Sequence, residues 1–132
     1  MRPIDYAIDR LQKAYAQLKD AVERAVDDLD RDGVIQRFEF TFEAFWKCVK
    51  ILVEHEGFTC QGPRSCIKEG ARRGYLSDGQ TLLDMLEDKN RTLHVYSEAA
   101  AQEIFERIKE VYIGLLGDNI KRFKDYIGLN SD

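Results

Sequence analysis

The 132-residue sequence has no apolar run long enough to span a membrane, and no stretch that alternates apolar and polar residues. It also has no internal repeat and no low-complexity segment. These absences exclude a membrane-spanning helix, a half-buried sheet and a solenoid. Positive charge is not in surplus either: 20 Lys and Arg stand against 24 Asp and Glu, for a net charge of −4. Any nucleic-acid contact must therefore come from a local basic patch. Cysteine is sparse and odd in number, at Cys48, Cys60 and Cys66, with a spacing that fits no zinc motif. The expectation is three reduced, structural thiols in a cytoplasmic protein. Met1-Arg2-Pro3-Ile4-Asp5 leads into a charged pattern rather than a signal sequence. No glycine-rich phosphate loop, nucleophile elbow or metal-ligand motif occurs, so neither a cofactor nor a metal is expected.

What is present is helical periodicity. Apolar residues make up 44% of the chain, enough for one domain with a real core, drawn here as residues 1–127 with 128–132 as a frayed tail. Ile4, Ile8, Leu11, Tyr15, Leu18, Val22, Ala25 and Leu29 recur at spacings of four and three, which predicts a long first helix. A second helix is predicted from about Gly33 to Glu56, carried by Val34, Phe38, Phe42, Phe45, Val49 and Leu52. Phe40 and Trp46 add apolar surface on its other faces, so this helix is either central or also faces a partner. Pro63 to Arg73 predicts a short third helix ended by Gly74. Ser77, as an N-cap, opens a fourth that runs toward His94. Ser97 opens a fifth, reaching about Tyr126. Its stripe Ala101, Ile104, Ile108, Val111, Leu115 slips by one residue to Leu116, Ile120, Phe123, Ile127. The slip between Gly114 and Gly117 predicts a bend or a close packing contact. The fold class is all-α, an up-down four-helix bundle with one short extra helix.

Several constellations could carry chemistry. Asp28 to Glu39 matches the EF-hand calcium loop, with carboxylates at positions one, three, five and twelve and Gly33 at six. The competing reading is an acidic linker whose Asp32 favours the start of the second helix through its dipole. Arg64, Lys68 and Arg72 fall four apart on one face of the third helix, with Arg73 beside them, and could hold phosphates or be a solvated face. On the second helix, Arg37 and Glu43 either belong to a salt-bridged face with Glu39 and Lys47 or reach across the bundle. The segment Asp88-Lys89-Asn90-Arg91-Thr92-Leu93-His94-Val95-Tyr96 crowds polar groups near the end of the fourth helix. There a His could act as base, a cation could hold a phosphate, and Arg91 shares a helical face with His94.

That last segment resembles the nucleotidyltransferase substrate-binding proteins, a HEPN-like family. The block Gln36 to Lys47, Pro63-Arg64 and Met85-Leu86-Glu87-Asp88 share the resemblance. It implies a homodimer that partners a separate minimal nucleotidyltransferase in a hetero-oligomer and binds its nucleotide or RNA substrate. Arg37, Glu43, Arg64, Lys68 and Arg72 are then the expected substrate-binding residues. The HEPN pattern of an Arg, a short spacer and a His implies an alternative. This is a metal-independent ribonuclease of a toxin-antitoxin pair, with His94, Lys89, Asn90 and Arg91 catalytic. The position of the Arg in that pattern reads Lys89 here. In that alternative the nucleotidyltransferase silences the toxin by adding AMP to Tyr96. A calcium-binding helical protein is the remaining alternative.

Overall fold

The computed structural model describes residues 1–94 and 97–129, the side chains of His94 and Leu129 excepted. The first helix, α1, spans Pro3–Arg24. Pro3 occupies its first turn, and Asp5 turns back to accept the Arg2 backbone N–H at 2.9 Å. The apolar seam was expected to carry α1 to Leu29. It stops at Arg24 because Asp27 caps a new helix, accepting the Asp30 N–H at 2.8 Å. Leu29 is consequently 78% exposed.

The second helix, α2, spans Asp28–His55 and so begins five residues before the expected Gly33. This corrects the calcium-loop reading. Asp28 to Glu39 is helix throughout, which sets its two ends about 16 Å apart rather than around one ion. The buried Arg31 guanidinium sits among these carboxylates, at 3.6 Å from Asp28, 3.4 Å from Asp32 and 2.9 Å from Glu98. The Glu98 bond is the main reason its pKa is raised.

The third helix, α3, spans Pro63–Arg72. It closes on Gly74, whose φ of +78° lets the Tyr75 N–H reach back to the Gly70 carbonyl at 2.8 Å. Cys60 and Cys66 form a disulfide with Cα atoms 4.9 Å apart, which corrects the expectation of three reduced thiols. The Gly62-Pro63 turn folds the connection back onto the fourth residue of α3 and brings the two buried sulfurs together. Cys48 remains a free buried thiol, its pKa pushed up to about 12 by burial.

The fourth helix, α4, spans Gly79–His94. Asp78, not Ser77, caps it, accepting the Thr81 N–H at 3.2 Å. Ser77 instead donates its N–H to the buried Asn119 at 2.8 Å, and Asn119 returns a bond to the Ser77 carbonyl at 3.2 Å. This exchange ties the α3–α4 turn to the last helix.

Ser97 caps α5, Glu98–Arg107, which passes through a π-helical turn at Ile108–Tyr112 into α6, Ile113–Leu129. The one-residue slip in the apolar stripe is absorbed by this turn, one helical turn earlier than Gly114. A π turn accommodates one extra residue, so the buried line runs Ile104, Ile108, Tyr112, Leu116, Ile120 while Val111 faces out. Close packing does occur at Gly117. A Cβ there would lie 2.6 Å from the Tyr15 hydroxyl, which donates to the Ile113 carbonyl at 2.9 Å.

The described residues contain no strand and form a helical bundle with α2 at its centre, packed by α1, α3, α4 and α5. Phe38, Phe42 and Phe45 are fully buried. Phe38 stacks on Tyr112 and Phe45 on Phe123, each with ring centres 5.7 Å apart. Among the described residues no helix is long and apolar enough to cross a membrane.

Candidate functional site

Lys89, Asn90 and Arg91 are consecutive residues of α4, which runs unbroken to His94. Consecutive helical positions are rotated by about 100°, so Lys89, Asn90 and Arg91 fan toward three different neighbours. Lys89 comes close enough to Glu43 of α2 for its charge to act there. Burial pushes the Glu43 carboxyl up. Bonds from Trp46 at 3.0 Å and Lys47 at 3.2 Å, with the Lys47 and Lys89 charges, outweigh burial and hold it below its usual range. Arg37 lies on the α1 side, donating to Gln17 at 2.9 Å. Neither expected α2 residue joins the α4 cluster directly: Glu43 is held by Trp46 and Lys47 of its own helix and lines a cavity between α1 and α2, and Arg37 turns to α1.

Arg91 turns to α5. It donates to Asp88 at 3.1 Å and to Glu103 at 3.3 Å. Asp88 is buried at the centre of a network that sequence periodicity did not reveal. Arg107 donates to both its oxygens at 2.8 and 3.0 Å, and the Tyr112 hydroxyl donates at 2.5 Å. Burial, and then the Asp88 carboxylate, raise the Tyr112 pKa. The π turn places Tyr112 for this bond, and the one-residue slip in the stripe was its signal in the sequence. The guanidinium of Arg91 is therefore engaged by two carboxylates. The side chain of His94, expected to be catalytic, and the whole of Tyr96, the expected modification site, lie outside the described residues.

Asn90 turns to α3, and there the expected residues do assemble. An open cavity of about 710 Å³ between α3 and α4 is lined by Arg64, Lys68 and Arg72, with Ser65 and Asn90 as neutral polar groups. Pro63 and Leu86 supply an apolar floor, and Glu69 is the lining carboxylate. Arg73, stacked with its guanidinium 3.4 Å over the Phe58 ring, draws Glu69 aside with a 2.8 Å bond. That bond, and then one from Arg72, lower the Glu69 pKa. Arg64 bridges to Glu87 of α4 at 2.6 Å and Arg72 pairs with Glu69 at 3.3 Å. Lys68, between them, is exposed and has no ion pair among the described residues. Gly62, Pro63, Arg64 and Ser65 all lie inside the small ring closed by the Cys60–Cys66 disulfide, so one wall of the cavity is covalently fixed. The disulfide and Asn90 are what the sequence did not offer here, since both depend on how the elements pack.

A second cavity, about 560 Å³, runs between α1 and α2. Its floor is Ala7, Ala14 and Ala44, and Tyr6 and Phe40 stand 63% and 60% exposed at its edge. Among the described residues no group of His, Cys, Asp and Glu side chains is placed to hold a metal ion.

The family model for nucleotidyltransferase substrate binding protein-like chains matches residues 6–125. The crystal structure of a protein from Thermus thermophilus is similar at 33% identity with a TM-score of 0.71. That match covers 92% of this chain and 99% of the other. No curated protein matches.

Proposed function

Since the chain belongs to the nucleotidyltransferase substrate binding protein-like family, we propose that it is the partner subunit of a minimal nucleotidyltransferase and holds that enzyme's phosphate-bearing substrate. The observation that carries this reading is the cavity in which Arg64, Lys68 and Arg72 of α3 face Asn90 of α4. Cations that converge on a concave site bind phosphate oxygens, and the neutral amide and hydroxyl supply directional bonds. The chemistry of transfer belongs to the partner, and this chain contributes affinity and orientation. Two copies associate through the exposed α1–α2 face in this reading.

The binding role is favoured over ribonuclease action by the state of the cations near His94. Lys89 stands where that mechanism uses an arginine, and Arg91 is already held by Asp88 and Glu103. The test is to mix the chain with its cognate nucleotidyltransferase and measure binding of labelled nucleoside triphosphates and oligoribonucleotides. Lys68→Glu should abolish binding of the ligand while the two proteins still co-elute. A wild-type complex that binds neither ligand class overturns the reading. So does RNA cleavage that disappears in His94→Ala and is silenced by AMP on Tyr96, which would assign the chain to the ribonuclease class.

A further inference from the structure

We propose that the α3–α4 cavity takes the backbone of a single nucleic-acid strand across three consecutive phosphates, rather than the triphosphate of a free nucleotide. This rests on the reading above that the cavity binds phosphate. Arg64, Lys68 and Arg72 are four residues apart on a helix, so each Cα is about 6 Å from the next along its axis. The three cations form a ladder about 12 Å long. Phosphates of a nucleoside triphosphate share bridging oxygens and lie too close together to meet one rung each. Phosphates of a strand are separated by a whole sugar, which matches a rung spacing of one helical turn.

The pairing pattern of the rungs fits the same ligand. The outer two guanidinium groups are exposed and each is steadied by one carboxylate, Arg64 by the exposed Glu87 and Arg72 by the half-buried Glu69 that Arg73 also holds. The exposed Arg64–Glu87 pair contributes little, so an incoming phosphate displaces it at small cost, and Glu69 keeps Arg73 as its partner when Arg72 turns to a phosphate. The middle rung, Lys68, has no such partner among the described residues. Pro63 and Leu86 offer apolar surface for a sugar or a base edge, while Ser65 and Asn90 can bond phosphate or a 2′-hydroxyl. With a net charge of −4, the protein has no general attraction for polyanions, and the ladder is where the pull would be concentrated.

The experiment uses the full chain, alone and with its partner, and fluorescence anisotropy with oligonucleotides of two to eight residues. Affinity should rise with length until three phosphates are engaged and then level off. The logarithm of the binding constant should fall against the logarithm of salt with a slope of about −2, reduced by about 0.7 in each of Arg64→Gln, Lys68→Gln and Arg72→Gln. These side chains are exposed, and circular dichroism should show unchanged folding. Equal affinity for RNA and DNA assigns recognition to the backbone alone, whereas tighter RNA binding adds a 2′-hydroxyl contact, testable in Ser65→Ala and Asn90→Ala. ATP that binds in a Lys68-dependent way while strands do not would overturn the strand and leave the phosphate-binding reading standing. Binding of neither would overturn both. A salt slope untouched by the three substitutions would place strand binding elsewhere and overturn the ladder.

Discussion

Asp88 shows how one buried carboxylate can organise several partners. It receives two bonds from Arg107, one from Arg91 and one from Tyr112, and so joins α4 to α5 and to the π turn. Replacing it by Asn keeps the shape but removes the charge that these donors share. Asp88→Asn should lower the unfolding free energy by about 2 kcal/mol, and Tyr112→Phe by about 1 kcal/mol, both measured by urea denaturation. If Asp88→Asn unfolds at the wild-type midpoint, the network is not holding the bundle together. The same network explains why Arg91 is a poor candidate for gripping a substrate phosphate: it would have to leave two carboxylates to do so.

At the scale of elements, α3 is a short helix made rigid by its attachments. The disulfide fixes its beginning, and the Gly74 turn and Asn119 fix the connection beyond its end. A ring of this size should contribute about 2 kcal/mol to stability. The double substitution Cys60→Ser with Cys66→Ser should therefore lower the denaturation midpoint. It should also weaken ligand binding in the α3–α4 cavity severalfold, because Arg64 and Ser65 lie within the ring. A thiol reductant acting on the wild-type protein should reproduce both changes, and mass spectrometry after alkylation reports the state of the pair. Unchanged affinity in the double variant would show that α3 is held without the disulfide. The π turn belongs to this scale too, because it rotates one end of a long rod against the other and lets both stripes face one core.

For the whole molecule, the α1–α2 face is where the proposed dimer would form. Tyr6 and Phe40 stand exposed beside the alanine floor of the α1–α2 cavity, with Arg10, Glu43 and Lys47 also lining it. Exposed aromatic side chains beside an apolar cavity are what a second copy would cover in the proposed dimer. Light scattering should give about twice the 15.3 kDa chain mass, and Phe40→Glu should reduce it to a single chain without loss of helical content. A wild-type monomer at micromolar concentration would remove the homodimer from the proposed assembly. The α3–α4 cavity has no lining residue from α1 or α2, so ligand binding should survive Phe40→Glu.

The sequence by itself determined the fold class, the long helices and the aromatic stripe of α2, because helical periodicity relates residues only three and four apart. For the same reason the ladder of Arg64, Lys68 and Arg72 was legible from residue spacing alone. The sequence also marked a defect in the last helix through the slip of its apolar stripe, although it placed that defect one turn late. Tertiary structure decided everything that depends on two elements meeting. It sent Lys89, Asn90 and Arg91 to three different neighbours, placed Asn90 beside the α3 cations, drew Tyr112 onto Asp88 and closed Cys60 onto Cys66. Such contacts follow from the angles at which helices cross and from how far each helix runs before its cap. Asp27 capped an α2 that begins five residues before the expected Gly33, and the packing of α2, α3 and α5 around α4 gave consecutive α4 residues different neighbours.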